Sequence, residues 1–182
     1  MEKDTNNDGR TDQVAHFDHK NRLIKLEIDS NADGIMDRFQ YYSDEVISKI
    51  ETDRNHDQKV DTRDLFENGK RIRHERADED TGRLELIILF DSEERPLEMQ
   101  RDTTSDSRFD TLYYFQEGKL VRSTKDANGD GKANVWQTYK DDTPLERRTD
   151  DNGDGKIDSI VLYDDEGLPK RSLHDLDGDG FM

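Results

Sequence analysis

The chain has 182 residues, with 45 Asp and Glu against 28 Lys and Arg, a net charge of −17, 29% apolar residues and 40% charged ones. Taken alone this is the composition of a disordered polyanion; it offers no stretch apolar enough to span a membrane and no attraction for nucleic acid phosphates. Cysteine is absent, which excludes disulfides and thiolate metal sites. The opening Met1-Glu2-Lys3-Asp4 lacks the charged and apolar regions of a signal peptide, so any export signal is expected to have been removed or never to have existed.

An acidic motif begins at Asp4, Asp29, Asp53, Ala77, Asp102, Asp126, Asp150 and Asp175, with spacings of 24 or 25 residues. Seven full repeats and a truncated eighth fill the chain, so residues 1–182 are expected to form a single tandem-repeat array without a second domain.

Each repeat opens with an acidic loop of the pattern D-x-[DN]-x-D-G-x-x-D. Side-chain oxygens at positions 1, 3 and 5, a backbone carbonyl at 7 and a carboxylate at 9 converge on a cation when the chain turns sharply at position 6. The ligand sets are Asp4, Asn6, Asp8, Arg10 and Asp12, followed by Asp29, Asn31, Asp33, Ile35 and Asp37 in the second repeat. The third repeat offers Asp53, Asn55, Asp57, Lys59 and Asp61, and the fifth Asp102, Thr104, Asp106, Arg108 and Asp110. The sixth has Asp126, Asn128, Asp130, Lys132 and Asn134, the seventh Asp150, Asn152, Asp154, Lys156 and Asp158, and the truncated eighth Asp175, Asp177 and Asp179. Hard oxygen donors without His or Cys suit Ca²⁺, about six or seven ions in all. Gln58 and Ser107 replace the position-6 glycine and predict weaker binding there. The fourth copy, with Ala77, Glu79, Thr81 and Glu85, has lost the first and fifth ligands and is expected to be empty.

After the loop, position 14 is aromatic in all seven full copies: Phe17, Tyr42, Phe66, Phe90, Phe115, Tyr139 and Tyr163. Apolar residues at 11 and 13, as in Phe39/Tyr41 and Leu112/Tyr114, complete a period-2 pattern and predict a strand. A polar turn such as Glu67-Asn68-Gly69-Lys70 follows, then a second strand opening on Leu23, Val46, Ile72, Leu97, Leu120, Leu145 or Leu168. The extra residue of each 25-residue repeat lies after the aromatic, in the turn or the second strand. The fold class expected is all-β: fourteen strands in an antiparallel meander, an elongated twisted or superhelical sheet with loops along one edge, in preference to a closed propeller or barrel.

The nine-residue loop resembles those of EF-hand proteins, dockerins, thrombospondin type 3 repeats and the calcium loops of integrin-type β-propellers. The EF-hand's bidentate Glu at position 12 has no counterpart, because Ala15, Gln40, Asp64, Ile88, Tyr113, Gln137 and Val161 stand there within strands; the propeller loop is the nearer analogue. Phe17-Asp18-His19-Lys20-Asn21-Arg22-Leu23 and Tyr163-Asp164-Asp165-Glu166-Gly167-Leu168 also resemble the Tyr-Asp hairpin repeats of bacterial surface and toxin-shell proteins.

His16, His19, His56, His74 and His174 share no repeat position apart from the i, i+3 pair, and no nucleophile motif, phosphate loop or H-E-x-x-H occurs, so no enzyme is expected. A sensor needs an element that opens, and none is predicted. A structural calcium role follows, in an extracellular or cell-surface protein, bacterial by resemblance. Open sheet edges predict head-to-tail homopolymers, and the eighth copy is expected to be either cut from a longer array or completed by another molecule. The alternative is a calcium-dependent adhesin or carbohydrate-binding module that presents Tyr41, Tyr113 and Trp136 to a surface glycan. Ligand positions hold 20 of the 45 carboxylates, leaving 25 against 28 Lys and Arg. Outside its loops the chain is therefore not acidic.

Overall fold

A computed structural model describes residues 1–178. The described chain is all-β, and its fifteen strands follow one another in sequence order as an antiparallel meander that is not closed into a barrel. The chain falls into two compact units, Met1–Glu94 and Arg95–Met182.

The first unit contains β1 (Glu2–Lys3), β2 (Gln13–Phe17), β3 (Leu23–Ile28), β4 (Arg38–Ser43), β5 (Val46–Thr52), β6 (Thr62–Glu67), β7 (Lys70–Ala77) and β8 (Leu84–Phe90). The second contains β9 (Pro96–Arg101), β10 (Thr111–Gln116), β11 (Lys119–Lys125), β12 (Val135–Lys140), β13 (Thr143–Thr149), β14 (Ser159–Tyr163) and β15 (Pro169–His174). The strand not foreseen is β1. Its pairing of Lys3 with Gln13 reproduces that of Ile28 with Arg38, so residues 2–3 pair as the end of a repeat's second strand does.

In six repeats the hairpin partners shift register immediately before position 14: between His16 and Phe17, Tyr41 and Tyr42, Leu65 and Phe66, Tyr114 and Phe115, Thr138 and Tyr139, and Leu162 and Tyr163. The unpaired residue lies on the second strand, for example Ile24 between Lys25 and Leu23. The shift sets the aromatic opposite Leu23, Ile47, Arg71, Leu120, Pro144 and Pro169 respectively. Ile72 and Leu145, which look like the equivalent aliphatics in the sequence, occupy the bulge and stay exposed.

The hairpin turns account for the two repeat lengths. Asp44/Glu45, Asn68/Gly69, Glu117/Gly118 and Asp141/Asp142 are two-residue turns with both φ values positive, the geometry that matches strand twist. In repeats 1 and 7 the turn is one residue longer. There Asp18 Oδ1 accepts the N–H groups of Lys20 and Arg22, and Asp164 Oδ1 those of Glu166 and Leu168.

Within each unit the strands touch only their neighbours in sequence, so the sheet is a single layer with little apolar core. Leu86 and Ile87 are the buried apolar residues, at 8% and 6% exposure. Charged ladders cover one face instead. Lys25 pairs with Glu27, Lys49 with Glu51 and Arg73 with Glu75, while Arg63 bridges Glu51 and Glu75 at 2.9 and 3.0 Å. Tyr41 lies between the ammonium groups of Lys25 and Lys49, 5.5 and 3.9 Å from its ring centre, and the Arg122 guanidinium sits 4.0 Å over Tyr114. Each such contact contributes about 0.5–1 kcal/mol at a half-exposed site.

Candidate metal centres

Six of the loops are tied by one hydrogen-bond scheme. The first carboxylate accepts the N–H of position 6 at 2.7–2.9 Å, in Asp4, Asp29, Asp53, Asp102, Asp126 and Asp150 alike. In five of them it also accepts the N–H of position 4, at 2.6–2.8 Å. The position-5 carboxylate accepts the N–H of position 7, from Arg10, Ile35, Lys59, Arg108, Lys132 and Lys156, at 2.7–2.9 Å. The ninth side chain reaches back to the N–H of position 2, as in Thr5 to Asp12, Arg54 to Asp61 and Asp151 to Asp158, each at 2.6 Å. Asn134 fills that role through its amide oxygen, 2.7 Å from the Ala127 nitrogen.

These bonds wrap nine residues around their acidic side chains. In the first loop Asp4, Asp8 and Asp12 offer carboxylate oxygens that all lie within 4.8 Å of one another, the one such group of three among the described residues. The wrap requires two left-handed residues per loop. Position 6 has φ between +69° and +92° at Gly9, Gly34, Gln58, Ser107, Gly131 and Gly155; position 4 has φ between +60° and +76° at Asn7, Ala32, His56, Ser105, Gly129 and Gly153. Only the position-6 requirement is evident from the repeat pattern, because position 4 carries six copies of varied residue types.

The loop ends bury charge. Asp12, Asp29, Asp37, Asp53, Asp61, Asp102, Asp110 and Asp150 are 2–9% exposed, Asp37 most deeply at 2%. None of them forms an ion pair with a Lys or Arg; Asp37 has only the His56 ring, at 3.7 Å. Asp29 Oδ1 is buried with no hydrogen-bond partner at all. A buried carboxylate without an opposite charge is costly where hydrogen bonds do not compensate it, as at Asp29 Oδ1; a divalent cation would satisfy such an oxygen, so the donor set fits a hard cation. The N–H and hydroxyl donors keep several of these groups ionised. Thr5 holds Asp12 below the usual carboxylate range through its hydroxyl and N–H, against the opposing effect of burial. At Asp102 burial pushes the pKa up, but the N–H groups of Ser107, Thr104 and Ser105 outweigh it and the net direction is down.

The fourth copy departs from this scheme. Residues 78–83 close a short hairpin in which the Asp78 N–H donates to the Arg83 carbonyl and the Gly82 N–H to the Asp78 carbonyl, both at 2.8 Å. Ala77 has no carboxylate to gather the loop, and Glu85 turns to Arg76 at 2.6 Å. In the eighth copy Asp175 Oδ1 accepts the N–H groups of Asp177 and Gly178, the start of the same scheme, while Asp179 lies outside the described residues. The glycan candidates sit on the sheet: Tyr41, Tyr113 and Trp136 are half-buried.

No protein-family model and no curated protein matches this chain. Among solved structures, "Crystal Structure of TarM" is similar over 72% of this chain and 21% of its own, with 10% identity and a TM-score of 0.35. An S. aureus TarM mutant in complex with Fondaparinux, alpha-GlcNAc-glycerol and UDP is similar over 64% and 20%, with 9% identity and a TM-score of 0.33. The chain thus spans about a fifth of the length of these structures, at a likeness too slight to carry an argument.

Proposed function

We propose that this chain is a calcium-binding structural repeat protein of the cell surface or extracellular space, whose single-layer sheet is made rigid by ions held in its loops. The observation that carries the reading is the row of buried loop carboxylates without a Lys or Arg partner. A chain with two buried apolar residues among those described has little hydrophobic stabilisation to set against such charge, and a divalent cation supplies what is missing. Without a bidentate twelfth ligand, affinities of roughly 10⁻⁴ to 10⁻³ M are expected, so millimolar Ca²⁺ adds about 0.4–1.4 kcal/mol per site. Six loops together contribute about 2–8 kcal/mol, comparable with the stability of a whole domain.

Calcium abundance outside the cell favours that location, and unpaired sheet edges favour assembly into a stalk or filament. Circular dichroism during an EDTA titration tests the folding role: loss of the β spectrum on chelation is expected, and an unchanged spectrum and melting temperature would sink it. Light scattering with and without Ca²⁺ tests assembly, which a strictly monomeric calcium-loaded chain counts against. The adhesin reading rests on the surface hollow beside Trp136, lined also by Arg122, Gln137 and Arg148. Glycan-array binding lost in Trp136→Ala would favour it over a purely structural role.

A further inference from the structure

In the first unit the second strand of a hairpin sets a cation opposite position 13 and a carboxylate two residues further on. Lys25, Lys49 and Arg73 face His16, Tyr41 and Leu65, and pair with Glu27, Glu51 and Glu75 at 2.5–3.0 Å. In the second unit Arg122 likewise faces Tyr114, but Thr124 occupies the place of the carboxylate. Among the described residues Arg122 forms no ion pair, and its guanidinium lies 4.0 Å over the Tyr114 ring instead. Stacking engages the flat face of a guanidinium and leaves its in-plane N–H groups free to meet an acceptor.

Arg122 lines a hollow of about 470 Å³ together with Thr124, Trp136, Thr138, Glu146 and Arg148, a size that suits a small ligand. Pairing between β11, β12 and β13 sets Thr124 and Arg148 on either side of Trp136, with Arg122 opposite the nearby Thr138. The indole therefore has an arginine on each neighbouring strand. Stacked cations lie over Phe39, Tyr41, Phe90 and Tyr114, and none over Trp136 among the described residues. The carboxylates of this face are engaged elsewhere: Glu146 pairs with Arg148 at 2.6 Å, and Glu98, across Tyr114 from Arg122, accepts the Gln100 amide N–H at 2.7 Å.

We propose that this hollow binds an acidic saccharide, with Arg122 holding the carboxylate of a uronic or sialic acid and the Trp136 ring packing against the C–H face of the sugar. The proposal rests on the adhesin reading and gives its ligand a chemical class. An apolar ligand leaves the guanidinium unpaired, and a small inorganic anion leaves the indole face bare; a flat ring that carries both hydroxyls and a carboxylate satisfies the two together.

The test is an array of glucuronate-, galacturonate-, mannuronate- and sialate-containing oligosaccharides, each beside its carboxyl-reduced counterpart, with Glu-rich peptides as a further arm. The full chain is applied in saturating Ca²⁺, and each ligand bound is titrated by calorimetry. Binding of an acidic glycan, weakened about 10–100-fold by carboxyl reduction, is expected. Arg122→Gln should remove that margin and leave the weaker binding of the reduced sugar, while Trp136→Ala should lose both. Arg73→Gln, at a position already paired with Glu75, should leave glycan binding unchanged. Equal binding of acidic and reduced glycans overturns the assignment and leaves the adhesin reading standing, whereas an array without any bound glycan overturns both. Peptides bound as tightly as glycans, or equal losses in Arg73→Gln and Arg122→Gln, overturn the assignment by marking general charge attraction. Should Trp136→Ala lose its β spectrum, the Arg122→Gln comparison decides alone, because that side chain is exposed.

Discussion

The backbone N–H of Asp29 donates to the carbonyl of Asp12 at 2.8 Å, tying position 1 of one loop to position 9 of the loop before it. The same bond joins Asp53 to Asp37, Asp126 to Asp110, Asp150 to Asn134 and Asp175 to Asp158, at 2.8–3.0 Å. Ala77 keeps it with Asp61 at 2.7 Å although the fourth copy has no loop of this kind. Adjacent sites thus share backbone, and ordering one loop fixes an end of the next.

Removing the most deeply buried ligand should affect the loaded protein more than the stripped one. Asp37 accepts the N–H and hydroxyl of Ser30 and stands at 2% exposure. Asp37→Ala is expected to lower stability by about 1–3 kcal/mol with or without Ca²⁺, because the Ser30 donors lose their acceptor, and in millimolar Ca²⁺ to lose a further ~0.4–1.4 kcal/mol with the ion it no longer holds. Thermal melts in Ca²⁺ and in EDTA check this, and equal losses in both would argue that the side chain serves packing alone.

The strained third and fifth loops offer a gain. Gln58 and Ser107 hold φ of +69° and +73°, a region that suits glycine. Gln58→Gly and Ser107→Gly should each add about 0.5–1 kcal/mol after the flexibility of the unfolded chain is deducted. Calcium affinity of those loops should rise with it, as calorimetry can establish. The converse substitution, Gly34→Ala at φ +92°, should weaken the second loop.

Restoring the missing aspartate in the fourth copy should achieve nothing. The hairpin of residues 78–83 is closed by its own backbone bonds, and Asp78 Oδ1 already accepts the N–H and hydroxyl of Thr81. Ala77→Asp is therefore expected to leave the calcium stoichiometry unchanged by equilibrium dialysis. One additional ion would mean that the loop opens at little cost.

The acid limit of calcium retention should be low. Asp12, Asp33, Asp57, Asp102 and Asp110 all have folded pKa values below the ordinary one. A depressed carboxylate contributes its stability above its unfolded pKa and loses it as pH falls through the folded value, so retention should persist to below about pH 3.9. A pH titration of bound Ca²⁺ and of the β signal checks this; release between about pH 5 and 7 would implicate histidines instead.

Much of this architecture is local and so was legible in the chain. The Asp and Gly spacing of Asp150-Asp151-Asn152-Gly153-Asp154-Gly155 dictates its own wrap, because the N–H groups that the Asp150 carboxylate accepts lie within five residues of it. The aromatic slot and the alternation before it likewise announce strands. What depends on register was not legible. Whether Ile72 or Arg71 faces Phe66, and whether the extra residue enters the turn or the strand, are decided by the register of each hairpin, and which loop His56 approaches by contact between loops 25 residues apart. The burial of Asp29 and Asp37 belongs to the same class: a sequence rich in aspartate reads as solvated, and only the closing of loop upon loop removes those carboxylates from water.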